Sequence, residues 1–158
     1  MVRLTHQRVF TNTSTEKMRA TANNVFLDAT YLIALAIPRD QHHAAAVDLM
    51  EQVAGRRVKM LTTRAVLLEA ANFLAQPKTR PLVVAALEDC KRDPLIEIVP
   101  LSEELFDKGL ALFRQRTDKA WGLTDCISFV AMWERGIFEA LTADEHFEQA
   151  GFIALLNH

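Results

Sequence analysis

Five short strand signals, each separated from the next by one or more helical patterns, leave this chain few ways to fold. Residues 25–27 form a short apolar run ending at Asp28. Further runs suited to short strands lie at 58–61, 96–99, 138–141 and 152–155. The intervals carry helix signals. Strands that alternate with helices pair in parallel, because each crossover helix packs back onto the sheet. The expected architecture is therefore α/β, with a mostly parallel sheet and helices on both faces.

The helix boundaries follow from local chemistry. Thr30 can start a short helix that runs through Leu35 and stops before Pro38. Asp40 is suited to cap a second helix over 41–54, ending at Gly55. Thr62 and Thr63 offer caps for a helix over 64–75, and Pro81 fits the first turn of another, reaching Lys91. Asp93-Pro94 breaks that helix. Ser102 opens a helix to about Arg116, and Leu123 opens one that ends at Arg135-Gly136. A turn or short helix covers 144–150. Residues 1–24 differ: they hold Arg3, Arg8, Lys17 and Arg19 against Glu16 alone, with many Thr, Ser and Asn residues. They lack an apolar secretory core. The reading is an N-terminal arm, or an over-extended start with Met18 as first residue, followed by one domain over 25–158.

Four carboxylates stand out against this frame. In an open parallel sheet, ligands bind beyond the carboxyl ends of the strands. Asp28 sits there after the first strand, and Asp144 follows the fourth by three residues. Asp125 falls in the first turn of a helix, where it could equally be a cap or a dipole partner. Glu69 lies in the nearly all-apolar stretch Ala65-Val66-Leu67-Leu68-Glu69-Ala70-Ala71. It is either a solvated stripe or an acid turned into a pocket, where an unpaired charge is costly. Brought together, the four would form an acid-only site suited to Mg²⁺ or Mn²⁺.

The local sequences resemble the PIN-domain family. Val25-Phe26-Leu27-Asp28-Ala29-Thr30-Tyr31-Leu32-Ile33-Ala34-Leu35 is similar to its opening motif. Thr63-Arg64-Ala65-Val66-Leu67-Leu68-Glu69-Ala70-Ala71-Asn72 resembles its Glu-bearing helix. Trp121-Gly122-Leu123-Thr124-Asp125-Cys126-Ile127-Ser128-Phe129 is similar to its Ser/Thr-x-x-Asp segment, and Ala140-Leu141-Thr142-Ala143-Asp144-Glu145-His146-Phe147 to its last motif. One departure is Ala29, where many relatives carry a hydroxyl.

The resemblance implies a three-layer α/β/α sandwich with a five-stranded sheet. It also implies Mg²⁺- or Mn²⁺-dependent endoribonuclease activity, in the manner of the VapC-like toxins of type II toxin–antitoxin pairs. RNA would be the substrate, a small cognate antitoxin the inhibitor, and a homodimer the assembly. Asp28, Glu69, Asp125 and Asp144 would be the metal-binding and catalytic residues. Thr30, Thr124 and Thr142 would orient carboxylates or bind metal waters, or serve as caps. The alternative is a PIN-like module that binds RNA or protein with little cleavage; a DNA nuclease is a third reading.

Other features narrow the field. Eighteen basic residues stand against 20 acidic ones, which is not the balance of a dedicated nucleic-acid binder. Setting four acids aside as metal ligands leaves 16 against 18, so charge decides little. The longest apolar run, 31–37, is too short to span a membrane. Cys90 and Cys126 fit no zinc or disulfide pattern and read as core thiols in a reducing cytoplasm. A receiver domain would need an acceptor Asp after the third strand, where Pro100-Leu101 follows. A haloacid-dehalogenase-like phosphatase would need Asp at position 30, which holds Thr. Asp118 ends a helix or caps a turn, or touches the site; Arg114, Arg116 and Lys119 read as phosphate contacts or dipole partners, and Trp121 as a base platform or a loop anchor. His42-His43 reads as a solvated pair, with His43 the one able to approach the groove. Trp133 and the Phe residues at helical spacing read as core.

Overall fold

The computed structural model describes residues 23–157. Apart from Asn23 and Asn24, the N-terminal arm expected from the sequence lies outside these residues. The chain runs β1 (Asn24–Leu27), α1 (Ala29–Ala36), α2 (His43–Arg56), β2 (Lys59–Thr63), α3 (Arg64–Phe73), α4 (Arg80–Arg92), β3 (Ile96–Val99), α5 (Glu103–Gln115), α6 (Leu123–Arg135), β4 (Glu139–Leu141), α7 (Glu145–Gln149) and β5 (Ile153–Ala154). A 3-10 turn at Leu155–Asn157 follows.

The five strands form one sheet in the order β3-β2-β1-β4-β5, and every pairing is parallel. α1 packs against α2, α3 and α4, and α5 packs against α6, giving the expected α/β sandwich. β1 is central and covered on both faces, so Val25, Phe26 and Leu27 are all buried. This explains why its sequence is continuously apolar rather than alternating.

The chain first builds outward from β1 to β2 and β3. It then returns to place β4 on the other side of β1. The order reverses between β1 and β4, and such a reversal opens a crevice at the carboxyl ends of the two strands. Leu27 pairs with Leu141, and the Asp28 N–H donates to the Leu141 carbonyl at 3.2 Å. On the opposite side the buried Thr62 hydroxyl donates to the Leu27 carbonyl at 2.8 Å. The end of β1 is thus pinned from both neighbouring strands.

Several helix starts obey the sequence. Thr63 accepts from the Val66 N–H and Ser102 from the Leu105 N–H, caps worth about 1 kcal/mol each. Gly136 closes α6 in the left-handed region, with φ 62°. The second helix departs from expectation at both ends. Asp40 accepts from the His42 N–H instead of capping a helix at 41, so α2 begins at His43. Gly55 remains inside the helix, and Arg57, with φ 53°, makes the left-handed turn.

Cys90 and Cys126 are free and buried, as expected of core thiols. Phe129 is the hub of the aromatic core, 5.0 Å from both Trp121 and Phe147 with near-perpendicular rings. The expectation of a core Trp133 needs correction: it is 44% exposed, its ring tilted against Phe152, which also meets the exposed Phe138. β5 supplies only two residues of sheet at that edge. Phe73, Phe106 and Phe113 are also exposed. Among the described residues no helix is long and apolar enough to cross a membrane.

Candidate metal centre

Asp28 leaves the end of β1 and caps α1, so its carboxylate is fixed by backbone geometry before any ligand arrives. Its Oδ2 accepts from the Thr30 N–H at 3.3 Å and the Thr30 hydroxyl at 2.9 Å. Thr142, the residue after β4, donates its hydroxyl to the same oxygen at 2.8 Å. Thr142 Oγ1 also accepts from the Asp144 N–H, and Thr30 Oγ1 from the Ala143 N–H. The two threonines therefore join the β1 and β4 loops around one carboxylate.

Asp125 occupies the third position of α6. Its Oδ2 accepts from the Gly122 N–H at 2.8 Å, which accounts for the cap-like reading of this residue. Asp144 caps α7 through the His146 N–H. Glu69 projects from α3, and although solvent reaches it, it is not a detached solvated stripe. It lines the same cavity of about 380 Å³ as Asp28, Asp125 and Asp144, in company with Thr30, Ile33, Asp40, His42 and Phe73.

The electrostatics follow from that arrangement. Burial pushes the Asp28 carboxyl above its ordinary range, against the pull of the Thr142 and Thr30 hydrogen bonds. Asp125 is also raised, first by burial and then by Asp144, against the Gly122 N–H and His146. Glu69 rises to about 7, first by desolvation in the cavity wall and then by repulsion from Asp28, Asp125 and Asp144. Because solvent reaches Glu69, salt weakens that repulsion. Carboxylates that repel one another across a cavity fit a divalent cation, which would reverse the sign of each interaction.

A histidine also stands beside these carboxylates. His146 Nδ1 lies 3.0 Å from Asp125 Oδ2 and 3.4 Å from Asp144 Oδ1. Among the described residues, Asp125, Asp144 and His146 form the group whose potential ligand atoms all lie within 4.8 Å of one another. His146 belongs to the last motif, but its nearness to both carboxylates was not legible there. A His two residues after a strand-end Asp, in the first turn of a short helix, was the available signal.

Other expectations sort themselves by position. Thr30 and Thr142 orient Asp28, whereas Thr124 lines a neighbouring apolar groove. Trp121 is buried, with its indole N–H donating to Gln149, so it anchors its loop and offers no face for a base. Arg116 lies 4.6 Å over the Trp121 ring and pairs in bidentate fashion with Asp118. Asp118 thus closes a turn, and Arg116 is engaged there. His42, not His43, lines the cavity; His43 Nδ1 is 2.8 Å from the Ala34 carbonyl oxygen.

The chain also matches known proteins. A solved structure of the Mycobacterium tuberculosis toxin VapC20, described as cleaving the sarcin–ricin loop, superposes with a TM-score of 0.73. The match is 22% identical and covers 82% of this chain and 96% of that one, which establishes likeness of fold. No curated protein matches in sequence. The PIN domain family model matches residues 25–153, a span that begins with β1 and ends in β5 and contains all four carboxylates. The chain belongs to the PIN domain family.

Proposed function

We propose that this protein is a divalent-metal-dependent endoribonuclease and the toxin of a type II toxin–antitoxin pair. The observation that carries the reading is the meeting of Asp28, Glu69, Asp125 and Asp144 around one cavity at the strand-order reversal. The fold shared with VapC20 supports it. These four residues would hold Mg²⁺ or Mn²⁺. Such ions, when bound, activate water and stabilise the leaving oxygen of a phosphodiester.

The chain's own contribution is preorganisation. Thr30 and Thr142 hold Asp28, the Gly122 N–H holds Asp125, and the His146 N–H holds Asp144. Each of these carboxylates is thus held by hydrogen bonds before a cation arrives. The same acidic cavity would receive a basic side chain from a cognate antitoxin, which would compete with the metal-bound substrate.

A homodimer is part of the proposal. An apolar groove of about 560 Å³ adjoins the acidic cavity and shares Glu69 and Phe73 with it. Leu68, Phe73 and Phe106 along this groove are 58%, 69% and 37% exposed. Apolar surface of this kind favours burial, and a second copy of the chain is its proposed occupant.

The first experiment is calorimetric titration with Mn²⁺, comparing wild type with Asp28→Asn and checking both folds by circular dichroism. Binding in the micromolar range that is lost in the variant supports the site. Equal binding in both proteins, or none in either, would favour a PIN-like binding module instead. Paired RNA and DNA oligonucleotides then identify the substrate: RNA cleavage that requires Mg²⁺ or Mn²⁺ is expected, and preferential DNA cleavage would overturn the ribonuclease reading.

A further inference from the structure

We infer that His146 is itself a metal ligand, through Nδ1, and that this nitrogen makes the centre select Mn²⁺ over Mg²⁺. The inference rests on the metal dependence proposed above and adds to it. A centre made only of carboxylates offers oxygen alone, which suits Mg²⁺ as well as Mn²⁺. An imidazole changes that balance, because nitrogen binds transition ions more strongly than it binds Mg²⁺.

The geometry carries the case. Nδ1 stands 3.0 Å from Asp125 Oδ2 and 3.4 Å from Asp144 Oδ1. Adjacent donors on an octahedral ion with bonds of about 2.1 Å lie about 3 Å apart, so these spacings suit three donors around one cation. His146 is constrained locally as well. Its backbone N–H donates to Asp144 Oδ1 at 2.8 Å, which ties the start of α7 to the carboxylate that the imidazole faces. The Asp144 N–H is held in turn by Thr142 Oγ1 at 3.0 Å. The ring is only 23% exposed. A neutral imidazole with its proton on Nε2 presents the Nδ1 lone pair to this point.

His42 lines the acidic cavity and is the internal control. Among the described residues no hydrogen bond or ion pair joins His42 to Asp125 or Asp144, whereas His146 Nδ1 lies within 3.4 Å of both.

The test is pulsed electron paramagnetic resonance of Mn²⁺ bound to the full chain, with calorimetric Mn²⁺ and Mg²⁺ affinities measured on the same samples. Wild type should show ¹⁴N modulation from a directly bound imidazole. His42→Gln should retain it and His146→Gln should lose it. The ratio of Mn²⁺ to Mg²⁺ affinity should fall by about tenfold or more in His146→Gln. Mn²⁺ bound to wild type without ¹⁴N modulation overturns this inference and leaves the metal-dependent reading standing. Modulation that survives in His146→Gln, or an unchanged affinity ratio, overturns it too. A wild type that binds no Mn²⁺ overturns both readings. If His146→Gln fails to fold, His42→Gln decides: modulation kept in that protein supports the inference, and modulation lost there overturns it.

Discussion

Thr142 and Asp28, which lie far apart in the chain, meet through a 2.8 Å hydrogen bond at the point where the strand order reverses. The hydroxyl donates to a carboxylate whose ionised form is disfavoured by burial. Thr142→Val keeps the volume and removes the donor. Mn²⁺ affinity should fall by about tenfold or more, with the circular dichroism spectrum preserved. Thr142→Ser should retain most of the affinity. Equal binding by all three proteins would deny Thr142 this supporting role.

The raised Glu69 carboxyl predicts an inverted pH dependence of stability in metal-free protein. Its ordinary value of 4.5 rises to about 7 in the folded state. Between those values the folded protein keeps a proton that the unfolded chain has lost. The Glu69 contribution to stability is therefore fully present below pH 4.5 and is lost as pH rises through about 7. Thermal melts in chelator should show this loss, and Glu69→Gln should remove it. Salt should flatten the slope, because solvent reaches this carboxyl. A variant whose melting temperature falls with pH as steeply as that of wild type would refute the assignment.

Asp125→Asn tests the biological reading. If expression of the wild-type chain arrests growth, the variant should relieve the arrest and lower RNA cleavage by more than about a hundredfold, beyond the usual cost of losing a supporting residue. Asn keeps an acceptor for the Gly122 N–H, so α6 should keep its cap. Full toxicity from a folded Asp125→Asn protein would be incompatible with the proposed site.

Gly109 sets the approach of α5 to α6. A Cβ there would overlap Ile127 Cγ1 and stand 3.1 Å from the Ile127 Cα. Gly109→Ala should cost about 1–3 kcal/mol, measured by urea unfolding. An unchanged midpoint would mean that the two helices separate freely.

The proposed homodimer is tested by light scattering after gel filtration. Leu68→Glu with Phe106→Glu places two charges in the apolar groove and should yield a monomer without disturbing the buried core. A wild type that is monomeric at all concentrations would dismiss this interface.

The legible features were those encoded locally. Thr63 and Ser102 cap helices because a short side-chain oxygen reaches an N–H three residues ahead. The apolar run 25–27 announced a strand buried on both faces. Arg57 was hidden because its left-handed turn goes against residue preference and is supported by the fold. Trp133 was misplaced because helical spacing marks a face but does not say how far the sheet extends beneath it.

The sequence by itself determined the alternation of strands and helices, and placed Asp28 and Asp144 just beyond strands, because pairing preference, capping and turn chemistry act over a few residues. Only the tertiary structure decided which side chains meet. The parallel order β3-β2-β1-β4-β5 sets the loops of β1 and β4 side by side, α3 carries Glu69 to the same cavity, and the first turn of α7 brings His146 between Asp125 and Asp144. Those meetings depend on crossover connections and on burial of whole helix faces, which are set by the packed chain as a unit and by no single segment.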